Sequence, residues 1–438
     1  MSGKESTGLS GAPLAAIVSV GNELLFGETV DTNAAWLGRV LARTGVSVVR
    51  RFTVGDVREA IQGAVAAATG AAELVIVSGG LGPTADDITR ESVAAHFGRP
   101  LHRDPELVDA LTERFLSRGY SSLPATNLSQ CDVPEGARIL RNPLGMAPGL
   151  AIVHTGGVVA LLPGVPEELR RIYSGDLSDL VQAHFGGRLL PVEHRMMHLT
   201  GIPESRLGEL VEETLAADPD LTRAAEHVSI AYLPDLRGVD IRLSARGREA
   251  TDTSSALDRL ERGLDHVLAK WRFRSESGDL AEAVVDVLRS QDMTLATAES
   301  CTAGLIAKRL TDHAGASDVF IGGVVAYHDS LKTDALGVSE EALERHGAVS
   351  EPVAIQMARG VVERCGADVG LAVTGVAGPG GGSVDKPVGR VWLAVSIGSE
   401  VTARSFDFMG DRTAIRERAA QAALALVLRA IEQRRPRA

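Results

Sequence analysis

Short, continuous apolar runs recur along the N-terminal part of the chain, and each ends in a polar or glycine-rich turn. Three of these runs lie at 14–20, 46–49 and 74–78. A strand that is buried on both faces has this pattern, because neither face meets water. Apolar residues at helical spacing lie between the runs, for example at 57–69. The alternation of strands and helices predicts a doubly wound α/β domain over residues 14–175.

The pattern changes between residues 176 and 274. Apolar and polar residues alternate at 228–233 and at 239–244, which is typical of strands with one face in water. Apolar residues at helical spacing occupy 207–215 and 257–268. Strands and helices mixed in this way predict a small α+β module.

The first pattern returns over residues 278–434. One apolar run begins at Leu295, and further runs cover 319–326 and 369–373. A long helical pattern at 412–433 closes the chain. A second α/β domain is therefore predicted.

The composition narrows the classes of function. The chain has 438 residues, of which 45% are hydrophobic, and this is enough for more than one core. A net charge of −12 argues against general nucleic-acid binding, which needs a basic surface. The three cysteines form no CxxC pair, so neither a disulfide framework nor a zinc site is predicted. No apolar run approaches the roughly 20 residues of a membrane-spanning helix, and the polar residues 1–13 resemble a disordered tail, so we expect a cytoplasmic protein.

The turn after the third run carries candidate chemistry. It holds three glycines, a threonine and two aspartates, which are Gly79, Gly80, Gly82, Thr84, Asp86 and Asp87. Glycines after a strand let the backbone approach a phosphate, and Thr84 is expected to cap the following helix. The paired carboxylates suit Mg²⁺, which takes carboxylates together with substrate phosphates. The alternative is an ordinary glycine turn with acidic residues in the first turn of a helix.

A second loop with compatible chemistry follows the first strand. It contains the stretch 21–27 with Glu23, and then Asp31 and Asn33 at a predicted helix start. These motifs, with 79–87, 142–149 and 162–168, resemble the molybdopterin-binding (MoaB/MogA-like) fold in the version found in the CinA family. The resemblance covers about residues 14–175. It implies a metal-dependent ADP-ribose pyrophosphatase rather than molybdenum cofactor chemistry, with metal ligands Asp86 and Asp87 and substrate-binding residues Glu23, Asn33, Gly79, Gly80, Gly82 and Thr84.

The C-terminal part places possible nucleophiles where a strand turns into a helix. Ser300 and Cys301 follow the run that begins at Leu295, and a helix N-terminus there favours negative charge. The alternative is that Ser300 or Thr302 only caps the helix. Two further strand ends present Tyr327 with Lys332 and Thr374 with a glycine loop; the closing helix begins with Arg412, Arg416 and Arg418.

A serine hydroxyl needs a base to become a nucleophile. A lysine that burial keeps neutral, or a tyrosine beside a lysine, can take the proton. Helix or loop N–H groups can then hold the oxyanion. Thr374 is expected to donate to the intermediate or to the leaving amine, and one of the three arginines to bind a phosphate.

The stretches 298–304, 322–332, 346–352, 372–379 and 386–389 resemble the C-terminal domain of the CinA family, the nicotinamide-nucleotide amidohydrolases. The match covers about residues 278–430. It implies a serine nucleophile at Ser300, assisted by Tyr327, Lys332 and Thr374, without a cofactor, and the substrate-binding residues Thr302, Gly375, Gly378 and Arg416. The sequence departs from the family at Ala303, where glycine is common, and at His328 and Asp329; Ala303 is expected only to tighten the helix start.

The middle segment resembles the KH-like domain of CinA proteins, but it has no GXXG clamp, so RNA binding is not expected. His194, His198 and His227 fit no metal motif. Together the resemblances predict a homodimeric hydrolase that converts nicotinamide mononucleotide to nicotinate mononucleotide and ammonia. ADP-ribose is the expected substrate of the N-terminal site, with a divalent metal. The alternative is a catalytically degenerate pterin- or nucleotide-binding protein in competence or the DNA damage response.

Overall fold

The computed structural model describes residues 11–247 and 250–434. The predicted tail at 1–13 lies mostly outside the described residues. The chain separates into two compact units. One contains the residues up to Glu193 together with Ala245–Ser254, and the other contains His194–Ser244 with the residues from Ser255 onward.

The N-terminal unit is built on one mixed sheet with the strand order β2-β1-β3-β8-β7-β6. The strands β2, β1, β3 and β8 run parallel to one another. Strand β7 pairs antiparallel with both β8 and β6. Its strands, with the short pair β4 and β5, are β1 (Leu14–Val20), β2 (Ser47–Val54), β3 (Leu74–Ser78), β4 (Leu101–Arg103), β5 (Asp132–Pro134), β6 (Arg138–Leu140), β7 (Gly149–His154) and β8 (Gly157–Leu162).

Helices cover both faces of this sheet. They are α1 (Asn22–Leu25), α2 (Thr32–Thr44), α3 (Arg58–Ala71), α4 (Thr89–His96), α5 (Pro105–Ser117), α6 (Pro166–Ile172) and α7 (Ser178–Phe185). One apolar cluster packs α2, α6 and α7 against the sheet, and a second packs α3 and α4 against its other face. The predicted doubly wound domain is therefore confirmed.

Strand β2 runs to Val54 and is longer than the predicted run at 46–49. Arg50 and Arg51 interrupt the apolar pattern. Both residues are exposed, which is possible because β2 lies at the edge of the sheet. The true end of β2 lies next to Asp56, which the shorter prediction left out of the site.

The middle module is a four-stranded sheet in the order β10-β11-β9-β12 with helices. In chain order its elements are β9 (Val192–Leu199), α8 (Glu204–Ala217), α9 (Pro219–Ala225), β10 (Val228–Pro234), β11 (Val239–Arg246), α10 (Ala250–Leu268) and β12 (Arg272–Phe273). The predicted α+β character is confirmed. His198 Nδ1 donates to the Asp240 carboxylate at 2.9 Å within the sheet, so this histidine has a structural partner.

The C-terminal domain contains a five-stranded sheet in the order β14-β13-β15-β16-β17. Its strands are β13 (Leu295–Glu299), β14 (Phe320–Val325), β15 (Val369–Gly375), β16 (Arg390–Ile397) and β17 (Glu400–Asp407). Its helices are α11 (Leu280–Ser290), α12 (Leu305–Thr311), α13 (Asp329–Leu336), α14 (Glu340–His346), α15 (Glu351–Cys365) and α16 (Arg412–Glu432). Helices α11, α12 and α16 cover one face, and α15 packs on the other.

Strand β14 lies at the edge of this sheet, so its apolar run is not fully buried. Ile321 is 50% exposed and Val325 is 47% exposed. Continuous apolar sequence predicts burial on both faces, but an edge position leaves part of such a strand open. Within the described part of the chain, no helix is long and apolar enough to cross a membrane.

Candidate functional sites

Three parallel strand ends meet at one edge of the C-terminal sheet. Glu299 at the end of β13 is paired with Val325 of β14 and with Val373 of β15. The next residues continue this contact, since the Ser300 amide donates to the Val373 carbonyl at 2.9 Å. Ser300, Tyr327 and Thr374 therefore lie just past three neighbouring strands, which is where ligands bind in open α/β sheets.

The alternative that Ser300 or Thr302 only caps helix α12 is wrong. Neither Ser300 nor Thr302 caps it; the N-cap is Gly304, which has no side chain to offer. The buried Glu299 carboxylate accepts from the amides of Ile306 at 3.1 Å and Ala307 at 2.9 Å. These helix N–H groups are therefore not available to an oxyanion. Sequence reasoning assigned no role to Glu299 of the stretch 298–304, although a carboxylate at the end of an apolar strand needs a partner.

The turn between β13 and α12 keeps free backbone donors. In the described structure, the N–H groups of Cys301, Thr302 and Gly304 have no backbone acceptor. Ala303 and Gly304 both adopt left-handed backbone angles, with φ of 51° and 87°. Successive N–H groups in such turns form concave anion-binding surfaces. Loop N–H groups thus replace the helix N-terminus as candidate oxyanion donors.

Ala303 does more than tighten the helix start, which corrects the expectation from sequence. A φ of 51° is unfavourable for any residue with a Cβ, and Ala303 is exposed, so its methyl group gains little packing in return. The family's usual glycine would adopt this angle without strain. The alanine therefore retains a backbone conformation that costs free energy.

We expect Ala303→Gly to raise the free energy of unfolding by about 1 kcal/mol, because it relieves the left-handed strain without removing a buried contact. The shift of the urea unfolding midpoint measures the gain. Gly304→Ala is the matched control and should destabilise, since Gly304 has a φ of 87°. Equal stability of the Ala303→Gly variant and the original chain would contradict the assigned strain.

Ser300 and Cys301 are both largely buried, with 8% and 4% of their surface exposed. Burial raises the pKa of the Cys301 thiol to about 12, and the nearby Glu299 carboxylate raises it further, although its own backbone N–H and the arginines 412 and 416 oppose this. A thiol with such a pKa is protonated at neutral pH and is a poor nucleophile. Cys301 also belongs to the apolar cluster under α11 and α16. The environment therefore favours Ser300 over Cys301 as the candidate nucleophile.

Tyr327 and Lys332 lie close in sequence but face different groups. The Tyr327 ring is 56% exposed, and its hydroxyl accepts from Arg412 at 2.8 Å. Lys332 is 1% exposed and points inward, where its ammonium donates to Asp329 at 3.0 Å and approaches the Tyr327 carbonyl at 3.5 Å. The cation beside the phenol is therefore Arg412, while the Lys332 side chain is held by Asp329.

Thr374 is positioned differently from the expectation. Its hydroxyl is 1% exposed and donates to the Ala348 carbonyl at 2.8 Å, so its hydrogen is already committed. The hydroxyl oxygen keeps lone pairs for accepting. Thr374 can thus accept a hydrogen bond from a substrate N–H, whereas the sequence suggested donation.

The glycine loop after β15 is held from two sides. A Cβ on Gly375 would come within 2.6 Å of Val391, so glycine permits the close approach of β16. Gly378 has a φ of 74°, and its carbonyl accepts from Arg412 at 2.7 Å. Arg412 therefore links this loop to Tyr327.

Thr302 and Arg416 are the remaining predicted substrate-binding residues of the C-terminal domain. Thr302 is fully buried, and its hydroxyl has no hydrogen-bond partner among the described residues. Its carbonyl accepts from Arg416 at 2.8 Å. Arg418, by contrast, donates to the Met409 carbonyl and does not join these residues. Arg412 and Arg416 are the two helix arginines that reach the strand ends.

The N-terminal site lies at the ends of four parallel strands. A cavity of ≈ 530 Å³ opens there, between the loops after β1, β2, β3 and β8. It is lined by the predicted residues Glu23, Asn33, Gly79, Gly80, Gly82, Asp86 and Asp87, but Thr84 does not line it. Strand order reverses between β1 and β3, which is the position where doubly wound sheets bind ligands.

The glycines of this loop are needed for close approach. Gly79 has a φ of 103°, and a Cβ there would collide with the Val20 carbonyl. Gly80 has a φ of 64° and lies against the Thr89 side chain. Gly82 packs against the Asp87 carboxylate. The close packing of this loop against Val20, Thr89 and Asp87 therefore requires glycine at these positions.

Thr84 does not cap the following helix, which corrects the prediction. Helix α4 begins only at Thr89, and its N-cap Ile88 has no capping side chain. The Thr84 amide instead donates to the Asp87 carboxylate at 2.9 Å, and the Thr84 hydroxyl donates to the same oxygen. Thr84 therefore orients Asp87 within a loop.

Asp56 is a residue of this site that the sequence did not reveal. It follows β2, lines the same cavity, and accepts from the Asn22 amide at 3.1 Å. Burial raises the pKa of Asp56; this hydrogen bond opposes the rise, and the charges of Glu23, Asp86 and Asp87 add to it. The carboxylates are thus close enough to repel one another. A strand prediction extended to Val54 would have pointed to Asp56.

A bound cation would relieve this repulsion, and the donor set consists of the hard oxygens that Mg²⁺ prefers. Within residues 11–247 and 250–434, however, no three acidic, histidine or cysteine side chains are arranged to hold a metal ion by themselves. The residues therefore fit an ion that also takes water and substrate phosphate oxygens. Asn33 helps to shape the opposite wall, since its amide donates to the Gly164 carbonyl at 2.7 Å.

Family models match three consecutive parts of the chain. The "Probable molybdopterin binding domain" matches residues 16–181, the "Damage-inducible protein CinA KH domain" matches 194–273, and the "CinA C-terminal domain" matches 277–431. A CinA-like protein of Salinibacter ruber is 44% identical over 418 residues, which cover 94% of this chain and 97% of that protein.

The chain belongs to the CinA family. A CinA-like protein of Gemmatimonas aurantiaca is 41% identical over 415 residues, covering 94% of this chain and 95% of that protein. The crystal structure of the competence/damage inducible protein from Agrobacterium tumefaciens is 42% identical, covers 37% of this chain and 98% of that chain, and has a TM-score of 0.35. The resemblance predicted from the motifs is confirmed for all three parts of this CinA family member.

Proposed function

We propose that the C-terminal domain hydrolyses the carboxamide of nicotinamide mononucleotide, giving nicotinate mononucleotide and ammonia, with Ser300 as the nucleophile. The observation that supports this most is the meeting of three parallel strand ends, which brings Ser300 beside the segments that carry Tyr327 and Thr374. The protonated, buried Cys301 thiol leaves the serine as the nucleophile of this turn.

In this proposal the Ser300 hydroxyl oxygen attacks the amide carbon. The Tyr327 hydroxyl takes the serine proton while it gives its own proton to the amide nitrogen, which can then leave as ammonia. Arg412 holds the Tyr327 hydroxyl from the other side. The oxyanion is stabilised by the unpaired N–H groups of the turn 301–304. The tetrahedral intermediate then expels ammonia and leaves an acyl-serine, which water hydrolyses to the carboxylate.

In the proposed reaction, Thr374, Arg412 and Arg416 recognise the substrate. Because the Thr374 hydrogen is donated to Ala348, its oxygen accepts from the carboxamide NH₂ and distinguishes an amide from a carboxylate. Arg416 has an unpaired, buried Nε, and Arg412 reaches the glycine loop at Gly378. Both cations suit the phosphate of the mononucleotide.

Ammonia release from nicotinamide mononucleotide by the purified full-length chain tests the proposal. Release is expected in the presence of a metal chelator, because no step uses a metal. The Ser300→Ala variant, purified in the same way, controls for contaminating amidases. Binding of nucleotide or pterin without any ammonia release would favour the alternative, a catalytically degenerate binding protein in competence or the DNA damage response.

A second activity is proposed for the N-terminal site, namely metal-dependent hydrolysis of the ADP-ribose pyrophosphate. It is favoured by a glycine loop that faces a cavity bordered by Glu23, Asp56, Asp86 and Asp87. A divalent metal, when bound, would neutralise the phosphates and polarise the bond to phosphorus. The chain's own part is to present Asp87, which Thr84 orients, and to bind the pyrophosphate on the backbone of Gly79–Gly82.

A further inference from the structure

The middle module and the C-terminal domain belong to the same compact unit, and ion pairs join them. The loop between β10 and β11 carries Arg237 to this junction. The Arg237 guanidinium donates to the Asp279 carboxylate at 3.2 Å, and its Nε lies 3.4 Å from the Glu417 carboxylate. Asp279 is the N-cap of α11, and Glu417 lies on α16. One side chain of the middle module therefore contacts two helices of the C-terminal domain.

The loop that carries Arg237 is firmly held within the middle module. The Asp235 carboxylate accepts from the amides of Arg237 at 2.6 Å and Gly238 at 3.0 Å. The Thr200 hydroxyl donates to the Arg237 carbonyl at 3.0 Å. Gly238 packs so closely on β9 that a Cβ there would collide with the Leu199 carbonyl. The position of the Arg237 backbone is therefore that of the module itself.

Asp279 extends the contact to a buried helix. Its carboxylate also accepts from Arg309 of α12 at 2.6 Å. Arg309 is only 2% exposed, and it donates to the Gln421 side chain of α16 at 2.8 Å. Positive and negative charges therefore alternate along Arg309, Asp279, Arg237 and Glu417.

Glu417 depends on Arg237 at the other end of this row of charges. In the part of the chain that the structure describes, its Oε2 is buried without a hydrogen-bond partner, and its one ion pair is with Arg237. A buried carboxylate that loses its only cation is destabilised. Glu417 directly follows Arg416, which donates to the Thr302 carbonyl at 2.8 Å. The same turn of α16 therefore contacts the middle module and the turn between β13 and α12.

The junction beside these charges is not filled by apolar side chains. A cavity of ≈ 490 Å³ lies there, bordered by His198 and Asp240 of the middle module and by Asp312 and His313 of the C-terminal domain. The Nε2 atom of His313 is buried and has no hydrogen-bond partner among the described residues. Apolar contact comes instead from Phe273 of β12, which belongs to the core cluster of the C-terminal domain. Phe273 therefore provides a pivot, and charge holds the junction on the side of Arg237.

We propose that the ion pairs of Arg237 with Asp279 and Glu417 form a latch by which the middle module holds α16 in place. With the latch closed, α16 is fixed where Arg416 reaches the turn between β13 and α12. Salt or the loss of one of these charges opens the latch, because partly exposed ion pairs are screened by ions. The middle module then turns about Phe273, and the first turns of α16 loosen. The latch does not depend on the proposed amidase function; only its effect on substrate rests on that function.

The test measures hydrogen exchange of residues 412–418 in the full-length chain by mass spectrometry, at about 0.05 M and about 0.5 M sodium chloride. Arg237→Gln removes the charge and keeps a polar side chain. Arg242→Gln, the same change at an exposed position of β11, is the matched control. Thermal unfolding shows that each variant is folded.

At the lower salt concentration, we expect residues 412–418 to exchange about fivefold or more faster in Arg237→Gln than in the original chain, and Arg242→Gln to stay within about twofold. At the higher concentration the original chain should exchange as fast as Arg237→Gln, whose own rate should not respond to salt. Glu417→Gln should also speed exchange, and the double variant should be no faster than Arg237→Gln alone, because both changes open one latch.

Kinetics with nicotinamide mononucleotide test the effect on substrate. Arg237→Gln should raise KM about threefold and leave kcat within about twofold, since Arg416 is proposed to bind the phosphate and not the reacting atoms. The latch is overturned if Arg237→Gln and the original chain exchange equally at the lower salt concentration, or if the effects of the two single changes add in the double variant. If the chain releases no ammonia, the exchange rates still decide on the latch, and the amidase proposal alone is overturned.

Discussion

Ser300→Ala is expected to lower the turnover of nicotinamide mononucleotide by about a thousandfold or more, with folding unchanged. The hydroxyl is the attacking group in the proposed reaction, and in the described structure its side chain forms no hydrogen bond that the alanine would lose. The measurement is ammonia release under single-turnover and steady-state conditions. ADP-ribose hydrolysis by the same variant should be unaffected, because Ser300 lies in the other compact unit.

Cys301→Ala is the matched control on the adjacent residue. We expect it to keep most of the deamidase turnover and to lose about 1 kcal/mol of stability, because the thiol is packed in the apolar cluster. Since the pKa of the thiol is raised to about 12, iodoacetamide at pH 8 should leave Cys301 unmodified in the folded chain. An inactive Cys301→Ala beside an active Ser300→Ala would reverse the assignment and make the enzyme a thiol amidase.

Asp87→Asn is expected to reduce metal-dependent ADP-ribose hydrolysis by about a hundredfold or more. Asparagine keeps an oxygen that can accept from the Thr84 amide, so the loop is retained while the charge offered to the metal is lost. Activity is measured as AMP release across a series of divalent metal concentrations. Deamidation of nicotinamide mononucleotide should not change.

Asp109→Asn provides the control for this charge change, since Asp109 is exposed on α5 and does not line the cavity of the N-terminal site. It should keep full pyrophosphatase activity. Asp56→Asn tests the residue that only the structure revealed, and an intermediate loss with a higher metal requirement is expected. Full activity of Asp87→Asn at every metal concentration would show that the metal is held elsewhere.

Much of the fold was predictable because it depends on local pattern. Apolar runs such as 74–78 and 369–373 correspond to central parallel strands, where both faces are covered. Edge strands were less predictable. Strand β2 was predicted too short where arginines interrupt its pattern, and the apolar run at 319–326 did not indicate that β14 lies at the sheet edge.

The candidate site was predictable as a set of loops but not as a set of contacts. Strand ends identified Ser300, Tyr327 and Thr374, because parallel strands end at the same edge. Side-chain partners lie far apart in sequence, and no local pattern encodes them. The partners Arg412 for Tyr327 and Ala348 for Thr374 are of this kind.

The sequence by itself determined the family, the succession of three domains, and the polar segments that follow the buried strands. It could do so because periodicity and short motifs are local properties of the chain. Only the tertiary structure decided that Glu299 rather than Ser300 satisfies the start of α12 and that Lys332 is buried against Asp329. Those outcomes depend on which distant groups compete for each donor and acceptor once the sheet has assembled.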